Sequence, residues 1–262
     1  MHCIKVSSLL RLGSELLNLT EELFSPTSLR SYFAEFISTF IFVFLGVGSA
    51  MSAAKLMTSD ATSAETGVLA VAVAHAFALV VAMYLAGDIS DGHVNPAVTY
   101  GLVVGGHVSG LTGICYCMAQ LSGSVTACVA LILVTAGQAI PTTRPDPKIS
   151  GLADVAIEAL ATFAIVYAVY VARDLRNGSR GIMGPIAVGF IYGANILVTA
   201  PLTGGSMNPA RSFGPAFVTG DMKKQWVYWV GPLVGGGIAG LVYESLMTTS
   251  NGQPPSSISS VG

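Results

Sequence analysis

Gly92-His93-Val94-Asn95-Pro96-Ala97-Val98 and Gly204-Gly205-Ser206-Met207-Asn208-Pro209-Ala210-Arg211 are two apolar stretches too short to cross a bilayer, each interrupted by glycine and proline. Asn-Pro at a helix start has a local meaning. Asn is a favoured N-cap, and Pro suits the first helical position, where its missing N–H would have had no partner. One copy would be an ordinary capping signal. Two copies in matched positions, both flanked by hydrophobic spans, read as re-entrant half-helices. Such backbone is tolerated at membrane depth only where protein buries it or a water-filled cavity solvates it, so the pair argues for a pore or an occluded site.

The surrounding chain belongs in a bilayer. Of its 262 residues 52% are hydrophobic and 10% charged, with a mean hydropathy of +0.68, whereas a soluble domain carries about 25% charged residues. No Asp, Glu, Lys or Arg occurs between Phe36 and Ala54, Thr66 and Gly87, Gly92 and Thr143, Gly181 and Ala210, or Gln225 and Tyr243. Each gap holds a span of about 20 apolar residues. Spanning helices read out at roughly 31 to 53, 66 to 87, 112 to 135, 154 to 172, 183 to 200 and 226 to 247.

An internal repeat orders these pieces. Glu35-x3-Thr39-Phe40 recurs as Glu158-x3-Thr162-Phe163, and Asn95-Pro96-Ala97 recurs as Asn208-Pro209-Ala210. Tyr116, Leu121, Gly123 and Ala127 are matched by Tyr228, Leu233, Gly235 and Ala239. The spacing between copies changes between the first and second helix of each half, where a loop-length insertion is harmless. Each half has three spans and one half-helix, and an odd number of spans makes the second copy enter the membrane inverted. The expected fold is an all-α membrane protein with six transmembrane helices plus two re-entrant half-helices in an inverted repeat. Half-helix termini that meet near the midplane of such a repeat build small-solute paths.

The domain reading follows: residues 1–27 form an N-terminal segment, 28–247 the membrane domain with repeats at about 28–136 and 151–247, and 248–262 a disordered tail rich in Ser, Gly and Pro. Leu9, Leu12, Leu16, Leu19 and Leu23 suggest a short amphipathic helix on the membrane face, with a frayed terminus as the plainer alternative. Glu15, Glu21 and Glu22 interrupt any secretory signal. A net charge of -2 offers no basic surface, which excludes nucleic acid as a partner. The four cysteines have neither zinc-ligand spacing nor a disulfide framework, and no metal or cofactor is expected.

Facing half-helix N-termini place positive potential at the centre of a pore, where the Asn95 and Asn208 amides donate to a passing oxygen. Cations are repelled there, and a water that accepts two such donors is turned out of register with its neighbours, which interrupts a proton wire. Arg211 follows Asn208 by three residues and shares its helix face, while the first half has Val98 at that place. An intramembrane Arg is costly and faces a cavity or carbonyls; the plainer reading is an interfacial Arg reaching the headgroups. His75, mid-span, reads from the helix pattern alone more readily as a packed side chain than as pore lining. Glu35 and Glu158, at equivalent positions, read as structural acceptors for half-helix N–H groups rather than as proton relays.

With both Asn-Pro-Ala boxes, the repeated Glu-x3-Thr-Phe and Arg211, the chain resembles the aquaporins, or major intrinsic proteins, over about residues 28 to 247. Ser90 to Thr99, Gly193 to Leu197, Gly204 to Phe217 and Trp226 to Pro232 look like plant tonoplast intrinsic proteins. That resemblance implies a narrow filter on the non-cytosolic side of the boxes at His75, Ile196, Gly205 and Arg211, with Glu35, Glu158 and His93 in structural support. It implies passage of water, and of ammonia or other small neutral solutes, with protons and ions excluded. In the ammonia-admitting subgroup an extra His in the loop between halves often contributes, and Thr143 occupies the corresponding place here. The resemblance further implies homotetramers surrounded by membrane lipid, residence in the vacuolar membrane, and cytosolic termini. The twelve Lys and Arg residues divide evenly between the two sides, so charge does not assign the orientation. Glycan on Asn18-Leu19-Thr20 or Asn177-Gly178-Ser179 would contradict it.

Two rival readings remain open at this stage. Glycerol facilitators typically place Asp after the filter Arg, whereas Ser212 follows Arg211. A proton-coupled carrier would use Glu35 and Glu158 as titrating groups and show saturable, gradient-dependent flux. No soluble catalytic constellation points to an enzyme.

Overall fold

A computed structural model describes residues 21, 23–56, 61–174 and 181–247. The expected surface helix around Leu9 to Leu19, the tail after Thr248 and both sequons lie outside the described residues. All six expected spans are present. They are α1 (Pro26–Leu56), α2 (Ala61–Ser90), α4 (Gly110–Val134), α5 (Gly151–Arg173), α6 (Met183–Thr203) and α8 (Val227–Val242), the last running on into a π-helical turn at Tyr243–Met247. The half-helices are α3 (Pro96–Val104) and α7 (Pro209–Thr219). No strand occurs among the described residues.

Local chemistry sets the ends. Ser109 and Ser150 cap α4 and α5, their side-chain oxygens accepting from Thr112 N and Ala153 N. Ser25 accepts from Ser28 N, so α1 starts at Pro26, earlier than its apolar pattern indicates. Gly204 and Gly220, at φ 87° and 74°, end α6 and α7 in the left-handed region that lacks a Cβ penalty.

The two halves exchange their short helices. Within each half the first span packs on the second and third, giving α1 with α2 and α4, and α5 with α6 and α8. Each half-helix, however, packs mainly against the third span of the opposite half: α3 on α8, and α7 on α4. Glycines allow these approaches. A Cβ on Gly101 of α3 would stand 2.8 Å from the Gly236 carbonyl oxygen of α8. With lipid outside, close packing of small residues replaces the hydrophobic drive that holds soluble bundles together.

Polarity is distributed accordingly. Leu133, Leu160, Phe190 and Val198 point outward, exposed to the surroundings, whereas Glu35, Gln120, Glu158 and Asn208 are fully buried. Buried polar groups of this kind need partners, and they find them along the chain segments that precede the half-helices.

Candidate functional site

Both segments entering the half-helices take the same unusual backbone path. Gly92 and Gly205 each have φ 63°, and Val94 and Met207 have φ 57° and 55°. A left-handed β-branched residue such as Val94 is costly and persists only where the surroundings over-determine it. The buried glutamates supply that constraint. Glu35 Oε1 accepts from Ser90 Oγ (2.7 Å) and His93 N (2.8 Å), and Oε2 accepts from Val94 N and Gln120 Nε2, both at 2.8 Å. Glu158 Oε1 accepts from Thr203 Oγ1 (2.6 Å) and Ser206 N (3.0 Å), and Oε2 from Met207 N (2.6 Å). The backbone donors are thus the residues just ahead of each half-helix, not the first N–H groups of the half-helix itself.

Those first N–H groups are satisfied by the box asparagines. Asn95 Oδ1 accepts from Ala97 N at 2.8 Å, and Asn208 Oδ1 accepts from Ala210 N at 2.9 Å and Arg211 N at 3.2 Å. Pro96 and Pro209 take the first helical positions. The two caps also hold each other: Asn95 Nδ2 donates to the Met207 carbonyl and Asn208 Nδ2 to the Val94 carbonyl, both at 2.9 Å. Two helix N-termini therefore meet inside the protein. Each asparagine keeps a second amide hydrogen beyond that bond.

Arg211 lies one turn into α7, buried to all but 9%, and its Nε has no protein partner. It lines a cavity of about 260 Å³ together with Val47, Thr143, Arg144, Ala200 and Gly204. The loop over residues 141–144 forms part of its wall. Thr143 Oγ1 donates to Ser212 Oγ at 2.8 Å, Ser212 bonds Ser206 Oγ, and Ser206 Oγ donates to the Asn208 carbonyl at 3.0 Å. Arg144, exposed at the cavity wall, forms an ion pair with Asp221.

His75 is buried on α2, its Nδ1 2.9 Å from the Val71 carbonyl, while its Nε2 has no protein partner. Ile196 is buried on α6, and Gly205 sits in the left-handed turn ahead of α7. His93 lies apart from these, its Nδ1 3.0 Å from Thr99 Oγ1 and its ring edge-on to Tyr116. The fold brings Asn95 and Asn208 together, with Glu35 and Glu158 bracing the approach from each half, and sets Arg211 beyond Asn208 on α7, facing the cavity.

Sequence reasoning passed over several buried groups here. Ser90 and Thr203, at the same spacing as the two boxes, give their hydroxyls to Glu35 and Glu158; extending the repeat to single polar residues would have found them. Gln120, the one amide in α4, bridges Glu35 Oε2 and Thr99 Oγ1.

The model of the family "Major intrinsic protein" matches residues 22–243. The chain is 53% identical over 236 residues to aquaporin TIP2-1 of Arabidopsis thaliana, covering 90% of this chain and 94% of that protein. It is 56% identical over 221 residues to aquaporin TIP2-1 of Zea mays, covering 84% and 88%. Among solved structures it superposes on the X-ray structure of the aquaglyceroporin from Plasmodium falciparum with a TM-score of 0.74 at 22% identity, over 84% of this chain and 96% of that one, a likeness of fold. By sequence over most of its length and by its helical architecture, the chain belongs to the major intrinsic protein family.

Proposed function

We infer that the protein is a multi-pass membrane channel for water that also passes ammonia or other small neutral solutes and excludes protons and ions. The observation that carries this reading is the meeting of two half-helix N-termini, capped by Asn95 and Asn208, each of which has an amide hydrogen beyond the bonds that join them. A water oxygen held there accepts from both sides, and the positive ends of the helix dipoles disfavour cations. His75, Ile196, Gly205 and Arg211 form the filter in this reading. Arg211 supplies fixed positive charge and donors, while Gly205 and Ile196 leave room for solutes slightly larger than water. Thr143 contributes no imidazole, and its hydroxyl is committed to Ser212.

The relatives named aquaporin TIP2 support placement in the vacuolar membrane; in this reading the termini are cytosolic and four copies assemble. Osmotic shrinkage of proteoliposomes is the deciding experiment. Rapid shrinkage with low activation energy and no dependence on a proton gradient is expected; a rate equal to that of empty vesicles overturns the reading. Ammonia entry, followed by internal alkalinisation of the same vesicles, tests the wider solute range.

A further inference from the structure

Behind the filter lies a side chain that touches two of its parts at once. Tyr192 of α6 is buried, and its hydroxyl donates to the Ser206 carbonyl at 2.6 Å, in the short segment between Gly205 and the second box. Its ring lies parallel to that of His75, at 7° and 6.2 Å between centroids. Phe42 of α1 closes the cage, edge-on to Tyr192 at 5.4 Å and to His75 at 5.9 Å. Gly46, one turn along α1, completes it: a Cβ there would stand 2.7 Å from His75 Nε2.

The contact across α2 and α6 depends on close approach. A Cβ on Gly193 would meet Ala76 Cβ at 3.0 Å and the Ala72 carbonyl oxygen at 3.1 Å, so the neighbouring glycine lets α6 sit against α2 where Tyr192 and His75 meet. The imidazole has one hydrogen bond, to Val71 O, and is otherwise held by packing. Removing a ring from the cage leaves it free to change rotamer.

The first half has no such device. At the spacing that relates the two boxes, Tyr192 corresponds to Leu79, which has no hydroxyl, and Ser206 corresponds to His93. Tyr192 and the Ser206 carbonyl it holds belong to the half that carries Arg211, and the ring it packs on, His75, belongs to the other, so the contact ties one half to the other.

We propose that Tyr192 is a positioning residue for solute selectivity, fixing the His75 ring and the Gly205–Ser206 backbone relative to each other from behind the pore wall. It touches no permeant. It acts by keeping two walls of one constriction from relaxing independently, so its loss widens the range of passable solutes before it reduces water flow. This rests on the filter assignment made above.

The test is the ratio of urea and glycerol permeability to water permeability in proteoliposomes, for the intact chain, Tyr192→Phe, Tyr192→Leu and Arg211→Ala. Tyr192→Phe keeps the ring against His75 and loses only the bond to Ser206, so the ratio rises modestly with water flux close to wild type. Tyr192→Leu loses both contacts, and the ratio rises several-fold. If Tyr192→Leu fails to fold, Tyr192→Phe alone decides. A raised ratio in Arg211→Ala with wild-type ratios in the Tyr192 variants overturns this proposal and leaves the filter standing. Wild-type ratios in all three variants overturn the filter and this proposal with it. Water and solute fluxes falling in parallel in the Tyr192 variants also overturn it, because a purely structural role predicts that result.

Discussion

Asn95 and Asn208 are bonded to each other's loops in a reciprocal pair, each donating its side-chain amide at 2.9 Å to the carbonyl just ahead of the other's box. The arrangement joins the two halves where their short helices begin, and it orients both amides with one bond each. In the proposed channel, a passage beside these caps would meet donors whose direction is set before any solute arrives. Such preorganisation lets a narrow site select by orientation without binding tightly, a condition that conduction requires.

The four donors around Glu35 leave little tolerance for an amide in its place. In Glu35→Gln one acceptor oxygen becomes an N–H group facing N–H donors from Val94 and Gln120, or, if flipped, the His93 N–H. A buried donor left without an acceptor costs about 1–3 kcal/mol. The melting temperature of the purified variant in detergent is expected to fall, with water flux per folded molecule reduced because Val94 no longer holds its left-handed turn. Equal melting temperatures would show that these bonds are not needed to shape the loop.

Arg211→Ala removes the guanidinium buried beside the second box and enlarges the cavity it lines. Urea and glycerol permeability relative to water is expected to rise several-fold, and a proton leak measurable with an internal pH dye is expected to appear. Unchanged selectivity for both would remove Arg211 from the filter.

Much of this fold was legible because lipid imposes coarse rules. Long charge-free gaps mark spans, and the repeated Asn-Pro-Ala boxes mark the half-helices. What could not be read was set by contacts far apart in sequence. Asp88, within Gly87-Asp88-Ile89-Ser90, makes that stretch look like a loop, yet α2 continues through it and delivers the Ser90 hydroxyl to Glu35. Gln120 gives no periodic signal, because its partners Glu35 and Thr99 lie on other elements. The exchange of half-helices between the repeats was invisible for the same reason: nothing in α3 names α8 as its neighbour.

At the cavity wall, Arg144 ties the loop over residues 141–148 to Asp221, an acid-sensitive contact. Partial desolvation raises the Asp221 pKa, but hydrogen bonds from Arg144 and Lys223 N, the Arg144 charge and a hydrogen bond from Thr142 together outweigh it and leave it below the usual 3.8. A depressed carboxyl pKa stabilises the folded arrangement above its unfolded value and loses that contribution as pH falls through its folded one. The loop is therefore expected to be held equally at about pH 5 and about pH 7, and to loosen only below about pH 4. Hydrogen exchange over residues 141–148, corrected for intrinsic rates, checks this: wild type unchanged between the two pH values, Arg144→Gln faster at both. Faster exchange in wild type at the lower value alone would assign the loop's anchoring to another group.

Two glycine-to-alanine changes separate packing at the site from helix propensity. In Gly236→Ala the new Cβ would stand 2.5 Å from the Ala97 carbonyl oxygen, and that oxygen belongs to the first turn of α3. The turn cannot yield alone, because Asn95 caps it and is itself bonded to Met207. Overpacking of this kind costs about 1–3 kcal/mol, and whatever relief occurs displaces the first box. Gly87→Ala is the counterpart: nothing lies within 4 Å of its new Cβ, so replacing a helical glycine there stabilises by about 0.5–1 kcal/mol. The expected outcome is opposite shifts in melting temperature, with water flux lowered in Gly236→Ala and preserved in Gly87→Ala. Wild-type flux together with wild-type stability in Gly236→Ala would mean that α8 does not press on the first half-helix, and the rigid seat assigned to Asn95 would lose its support.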